Sequence, residues 1–192
     1  MKKIDAHIHL TGGVEALSLL ERLDAMALNI CIAGADGDDW RRTTAGPYRA
    51  LNAMAPARYA WVTSFDPPDY TASPELYARE RIDALKRDFA AGAVGCKIWK
   101  NIGMEVKDPA GRYVMVDDPV FEPIFEWLEN TRRTVVMHIG EPKACWEPLT
   151  PDSPHYGYYS THPEWHMHGR TDIPDYDAQI HSRDHILERH PQ

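Results

Sequence analysis

Apolar segments of strand length alternate along this chain with segments of helical periodicity, and this alternation strongly constrains the fold. The predicted strands run from Lys3 to His9, Asn29 to Ala33, Tyr59 to Phe65, Ala93 to Trp99 and Thr134 to Ile139. Mostly apolar strands that are separated by helices form parallel sheets with helices on their faces. Two α/β architectures fit this pattern: an open doubly wound sheet, or the first five βα units of a (β/α)8 TIM barrel.

Helix signals lie between the predicted strands. Ser73-Pro74-Glu75 supplies an N-cap residue, a proline at the first helical position and an acid in the first turn. A small hairpin is predicted between Gly103 and Asp118. We predict helices over Val14 to Met26, about Trp40 to Met54 with a cap at Asp38 or Asp39 and a break at Gly46-Pro47, Ser73 to Ala91, from Asp118-Pro119 onward, and Asp177 to Arg189.

Composition restricts the class of protein. The chain has 192 residues, enough for one domain with a substantial core, and a formal charge of -8. No run of Lys and Arg offers a footprint for phosphates, so we expect no nucleic-acid partner. No apolar stretch approaches the ~18 residues that span a bilayer, so we expect no membrane partner. The three cysteines are odd in number and lack motif spacing, which favours a reducing, cytoplasmic location.

The first predicted strand carries the motif Asp5-Ala6-His7-Ile8-His9. Side chains two residues apart on a strand share a face, so His7 and His9 should present two imidazoles side by side, with Asp5 below them. The other face, which includes Ile4, should pack against helices. This pattern favours a metal-binding pair over two ordinary hydrogen-bonded histidines. A second pair, His166-Met167-His168, lies in a predicted loop, where the ordinary role is favoured.

Two later strands end in residues suited to the same site. His138 closes the fifth predicted strand and would complete a three-histidine set typical of zinc, unless it only bonds a loop carbonyl. Lys97 and Trp99 share one face of the fourth strand, where they would line a substrate pocket. Lys97 would bind a substrate carboxylate or carry a carbamate that bridges two metals, or else form an ion pair with Asp5 or another acid inside the barrel. Because these residues lie at carboxyl ends of strands, they favour the barrel.

A loop from Trp146 to Arg170 is rich in aromatic residues and histidine. A long loop at the carboxyl end of a barrel is a candidate substrate lid. The alternative is a packed excursion whose aromatic residues form their own small core. Its segment His162-Pro163-Glu164-Trp165 would also suit a contact between subunits.

Three segments together resemble the amidohydrolase superfamily, in particular its branch that contains aminocarboxymuconate-semialdehyde decarboxylase. They are Asp5-Ala6-His7-Ile8-His9, Gly95-Cys96-Lys97-Ile98 and Met137-His138-Ile139. The resemblance implies a (β/α)8 TIM barrel in which His7, His9 and His138 bind a divalent metal, with zinc expected. It also implies a later histidine and a later aspartate that acts as the base, neither of which this sequence contains. Residues 1–192 are therefore expected to be a single, partial barrel domain that lacks the C-terminal strands.

The resemblance implies a metal-dependent hydrolase that acts on a small carbonyl- or carboxylate-containing substrate. A decarboxylase of the same family is the alternative, and a catalytically incomplete half-barrel that only binds metal is a further one. Such a half-barrel would self-associate through its open edge strands, giving a homo-oligomer. Metal-dependent phosphoesterases also open with His-x-His, but no basic cradle for a phosphate is present here. The sequence therefore predicts a small-molecule substrate and a divalent metal cofactor.

Overall fold

Five parallel strands form one sheet whose spatial order follows the chain. The computed structural model describes residues 3–10, 13–31, 45–140 and 142–191. The strands are β1 (Lys3–Ile8), β2 (Ala25–Ile30), β3 (Tyr59–Ser64), β4 (Ala93–Ile98) and β5 (Thr134–Met137). A doubly wound sheet reverses its strand order at a switch point, whereas a barrel does not. The predicted fold class is therefore confirmed: the sheet curls into a half-barrel, consistent with the first five βα units of a (β/α)8 barrel.

Helices connect the strands much as predicted. They are α1 (Val14–Arg22), α2 (Gly46–Met54), α3 (Pro74–Ala90), α4 (Asn101–Met104), α5 (Glu122–Asn130), α6 (Tyr156–Tyr159) and α7 (Tyr176–Arg189). The Ser73 hydroxyl accepts a hydrogen bond from the Leu76 amide at 3.3 Å, which confirms the predicted cap of α3. In the predicted hairpin, Lys107 and Tyr113 form one antiparallel bridge. No helix within the described ranges is both long and apolar enough to cross a membrane.

The start of β2 was predicted four residues too late. The helix α1 ends at Arg22, Asp24 adopts a φ of 47° in a tight turn, and β2 begins at Ala25 rather than at Asn29. Ala25 pairs with Lys3 in the parallel ladder. Residues 25–28 are mostly good helix formers, and pairing with β1 overrides that local preference. The predicted strand end at Ala33, the cap at Asp38 or Asp39 and the helix start at Trp40 lie outside the described residues.

The two faces of the sheet have different roles. Trp61 and Cys96 are fully buried against the helices in the main hydrophobic core. Residues that pair across a ladder share a face, and Ser64 pairs with Lys97. Ile30 pairs with Val62, and both are buried without belonging to that core. Ile30, Val62, Ser64 and Lys97 therefore lie on the inner, concave face of the half-barrel.

A β-bulge in β1 changes the predicted alternation of its side chains. The register shifts between Asp5, which pairs with Ala27, and Ile8, which pairs with Asn29. Between these two pairs β1 advances by three residues and β2 by only two. Ala27 and Asn29 share one face of β2, so their partners Asp5 and Ile8 also share one face, and His9 points to the other. Ile4, predicted to pack against helices, is 68% exposed. The prediction that Asp5 shares the histidines' face was therefore wrong.

Candidate functional site

The two histidines of β1 lie side by side at the carboxyl end of the strand. The centroids of the His7 and His9 rings are 5.1 Å apart, with the ring planes at 78°. Nδ1 of His9 lies 2.8 Å from the Ile30 carbonyl oxygen. Since a carbonyl can only accept, Nδ1 is the donor in this hydrogen bond, and Nε2 is the ring nitrogen left for a metal. A histidine that binds metal commonly donates its other ring N–H to a carbonyl in this way.

His7 is held in the form that a metal requires. Partial burial is the largest cause that lowers its pKa, and electrostatic repulsion from the neighbouring Lys97 and His9 side chains lowers it further. Asp5 acts in the opposite direction and raises the pKa of His7. Because the net shift lowers the pKa of His7, it favours the neutral ring that metal ligation needs.

Lys97 is a buried cation beside this pair. Its side chain is 1% exposed, and burial lowers the pKa of Lys97 to about 8. Of the described groups, no acid is among the causes of that shift. The Asp5 carboxylate instead accepts a hydrogen bond from the His7 backbone N–H at 3.1 Å. Lys97 and Asp5 therefore do not form the ion pair that the sequence left open as an alternative.

His138 follows β5 on the inner side of the sheet. Its backbone N–H donates to the Ile98 carbonyl at 3.0 Å, which extends the pairing of β4 with β5. Val136, two residues earlier, pairs with Lys97, so the alternation puts His138 on the same inner face. Within residues 3–10, 13–31, 45–140 and 142–191, no three His, Cys, Asp or Glu side chains are grouped to hold a metal ion. The three-histidine set therefore stays a prediction, while His7 and His9 are brought together.

The second histidine pair is tied to the backbone of its own loop. Nε2 of His166 lies 3.0 Å from the Glu147 carbonyl oxygen. Nδ1 of His168 lies 3.1 Å from the carbonyl oxygen of Trp146. One nitrogen of each ring is therefore engaged in a hydrogen bond that stabilises the loop, and Met167 between the two histidines is buried. This arrangement agrees with the ordinary role that the sequence favoured for His166 and His168.

The aromatic loop forms its own small core and also reaches β4. Met104, Cys145, Tyr159, Met167 and Ile173 are buried together, which confirms the packed-excursion interpretation. The Trp165 ring lies 5.9 Å from that of Trp99, centroid to centroid, and Lys100 Nζ is 4.0 Å from the Trp165 centroid. Burial lowers the pKa of Lys100. Sequence reasoning missed Lys100, although its position directly after Trp99 at the end of β4 was a usable signal.

The donor set of β1 fits a divalent metal. Two imidazoles lie side by side, one of them with Nε2 left for a metal, and imidazole nitrogen suits zinc and related ions. The nearby Lys97 ammonium would repel a metal cation, but both the ammonium and the metal would attract an anion. The pair can therefore hold part of a metal site at which an anionic group of a substrate would bind.

Comparisons with known proteins bear on the fold. No family model matches the chain, and no curated protein matches its sequence. Among solved structures, the chain is similar to the crystal structure of 2,6-dihydroxybenzoate decarboxylase complexed with 2,6-dihydroxybenzoate, at 14% identity and a TM-score of 0.50. The match covers 92% of this chain and 52% of the decarboxylase chain, so this chain spans about half of that length. The likeness supports the half-barrel of βα units, with His7 and His9 at the end of its first strand.

Proposed function

We propose that this chain carries part of the active site of a metal-dependent enzyme of the amidohydrolase superfamily that decarboxylates a small carboxylic acid. The observation that carries the proposal is the buried Lys97 beside His7 and His9. A buried cation is costly unless a negative charge accompanies it. A substrate carboxylate would supply that charge.

Each side chain then has a definite task. His7 and His9 would hold a divalent metal, with His138 as the third nitrogen donor, and the metal would supply Lewis-acid chemistry. The Lys97 ammonium would donate hydrogen bonds to the substrate carboxylate and fix its orientation. Trp99, whose ring contacts Trp165, would form an apolar wall that excludes water from the bound acid. The similarity to a decarboxylase fold supports this choice of reaction.

Hydrolysis of a small carbonyl compound is the second candidate. It is favoured by the pKa of Lys97, which burial lowers to about 8. A lysine that loses its proton near neutral pH can accept one from a water molecule, as a general base must. Binding a carboxylate requires the charged form instead, so decarboxylation should fall above pH 8, whereas hydrolysis should rise there.

The test separates metal binding from chemistry. The purified chain is titrated with zinc against a chromophoric chelator, and the loaded protein is assayed with small aromatic and aliphatic carboxylic acids for release of CO₂ and with amides for hydrolysis. We expect zinc binding, and any CO₂ release should be lost in Lys97→Met and retained in Lys86→Met, an exposed lysine of α3. Absence of zinc binding would refute the proposal.

Two further results would redirect the interpretation. Hydrolysis without CO₂ release would establish the second candidate in place of the first. Zinc binding without turnover would leave the half-barrel that only binds metal. Sedimentation would then show whether copies pair through the edge strands β1 and β5.

A further inference from the structure

Asn29 is a polar residue near the carboxyl end of an otherwise apolar strand. It lies in β2 and is 0% exposed. Its carboxamide is fully engaged: Oδ1 accepts from the Leu10 N–H at 2.8 Å, and Nδ2 donates to the Leu10 carbonyl at 3.2 Å. Nδ2 also donates to the Tyr59 hydroxyl oxygen at 2.6 Å. A buried carboxamide satisfied in this way is stable, but its partners are unusual because two of them are the backbone N–H and C=O of a single residue, Leu10, in another segment.

The Asn29 side chain continues the β1–β2 pairing beyond the end of β1. The last paired residues of that ladder are Ile8 and Asn29, and β1 ends at Ile8. A carboxamide carries a donor and an acceptor side by side, as a peptide group does. It therefore substitutes for the next backbone partner and holds Leu10 in place two residues past the strand.

This clamp sits directly beside His9. Asn29 fixes Leu10, and the next residue of β2, Ile30, accepts through its carbonyl from His9 Nδ1 at 2.8 Å. Asn29 and Ile30, consecutive in β2, thus bond Leu10 and His9, the two residues that follow β1. If Leu10 moved, the His9 ring would lose its alignment with the Ile30 carbonyl, and both tautomers of the ring would become accessible.

We propose that Asn29 is a positioning residue for His9: by clamping the Leu10 peptide, it keeps the Nδ1 proton of His9 on the Ile30 carbonyl and presents Nε2 to a metal. The metal half of this statement rests on the proposed function, whereas the tautomer half does not. Asn29 itself does not touch the metal. Its effect reaches the site only through the backbone and ring of His9.

The chain offers matched variants. Asn29→Leu keeps the size of the side chain and removes both hydrogen bonds to Leu10, whereas Asn29→Asp keeps its shape and removes only the donor. Tyr59→Phe removes the third contact of Asn29 and leaves the Leu10 clamp intact. Thr63→Val removes a buried hydrogen bond of β3 to Asp88, away from the histidines. The two controls report what the loss of a buried hydrogen bond does by itself.

The primary measurement is the tautomer of His9 in the metal-free protein, read from the side-chain ¹⁵N shifts by NMR. We expect the Nδ1–H tautomer in the wild type, Tyr59→Phe and Thr63→Val, and a mixture of tautomers in Asn29→Leu and Asn29→Asp. A wild-type His9 with the proton on Nε2 would overturn the proposal even if neither Asn29 variant folds. An unchanged tautomer in a folded Asn29 variant would overturn it as well.

Zinc affinity is the second readout. We expect the Asn29 variants to bind zinc ~10–100-fold more weakly than the wild type, as is typical when an outer partner of a ligand is lost. Tyr59→Phe and Thr63→Val should stay within about twofold of the wild type, on the same scale. Equal zinc affinity in Asn29→Leu and wild type would contradict the metal half of the proposal. If the wild type itself binds no zinc, the proposed function fails, and the tautomers alone decide the role of Asn29.

Discussion

The chain contains two His-x-His pairs that have the same sequence spacing but differ in ring separation, secondary structure and hydrogen-bond partners. The rings of His7 and His9 are 5.1 Å apart at the end of a parallel strand, and those of His166 and His168 are 6.2 Å apart in a loop. In the loop pair both rings bond backbone carbonyls of a neighbouring turn. In the β1 pair, only His9 has such a bond to a described residue, and its partner is the adjacent strand. Spacing alone therefore does not identify a ligand pair.

The surroundings of the two pairs explain the difference. Next to His7 lies Lys97, a buried lysine whose influence lowers the pKa of that histidine. Between the loop histidines lies Met167, which belongs to a small apolar core and whose N–H donates to the Cys145 carbonyl at 2.7 Å. In the first environment no described acid offsets the buried charge of Lys97, whereas in the second the histidines and Met167 all have partners within the described loop. This contrast is what separates a candidate site from a structural element.

The largest expected effect comes from removing each pair in turn. His7→Asn/His9→Asn should weaken zinc binding by more than the ~10–100-fold that outer partners cost. It should lower the free energy of unfolding by about 1 kcal/mol, since among the described partners only the His9–Ile30 hydrogen bond is lost. His166→Asn/His168→Asn should keep the zinc affinity but lower the free energy of unfolding by about 1 kcal/mol for each hydrogen bond lost. Chelator competition and urea denaturation of both variants measure the two quantities. The reverse assignment of the two effects would break the comparison.

Lys97→Met tests the buried charge beside His7 and His9, which no described acid offsets. The folded-state pKa of about 8 lies below the ordinary 10.5, so the unfolded state holds more protons between these values and stability rises with pH there. Below pH 8 the full penalty applies, at most about 3 kcal/mol. The metal-free Lys97→Met variant should therefore be more stable than the wild type at pH 7 in urea denaturation, and the gap should shrink by pH 10.

Lys86→Met is the control for that experiment, because Lys86 lies exposed on α3 in an ion pair with Asp83. Its stability difference from the wild type should stay small, since exposed pairs contribute little. If Lys97→Met is no more stable than the wild type at pH 7, Lys97 has a partner after all.

Trp165→Ala tests whether the aromatic loop only stabilises the fold or also contributes to the metal site. The Trp165 ring contacts Trp99 and lies under Lys100, so its loss should lower the free energy of unfolding by about 2 kcal/mol. Tyr156→Ala, at an exposed position of the same loop, should cost much less. Zinc affinity should be unchanged in both variants. A fall in zinc affinity in Trp165→Ala would show that the loop contributes to the metal site.

The smallest effect concerns the protonation of His7. Its pKa lies below the ordinary histidine range, so the folded state takes up its proton later than the unfolded state as pH falls, and stability declines with acidification there. Lys97→Met should raise the pKa of His7, and Asp5→Asn should lower it further, because these two charges act in opposite directions. An NMR pH titration of the metal-free protein measures all three values. If His7 titrates identically in the wild type and in Lys97→Met, Lys97 does not lie close enough to His7 to affect its pKa.

Most of the fold could be predicted because apolar periodicity and capping residues are local properties. The five strands, their parallel order and the cap at Ser73 follow from such patterns. The start of β2 at Ala25 could not be read in this way, since alanine and leucine favour a helix until β1 is available for pairing. The bulge after Asp5 is likewise a consequence of pairing, and it invalidated the simple alternation assumed for that residue.

The site was predictable in its residues more than in its electrostatics. Alternation along β4 placed Lys97 inside, but only the packing shows that no described acid offsets its charge. The clamp by Asn29 had one sequence signal, a carboxamide within an otherwise apolar strand. Its partners at Leu10 and Tyr59 are distant in sequence, so the fold had to be known before that signal could be interpreted.

The most direct test of the central claim is an anomalous diffraction measurement at the zinc edge on crystals of the chain soaked in zinc. The account predicts a peak within bonding distance of His9 Nε2 and of the His7 ring, on the concave face of the sheet. It predicts no peak between His166 and His168. A zinc ion bound at the loop pair, or none at His7 and His9 in crystals that hold zinc elsewhere, would contradict it.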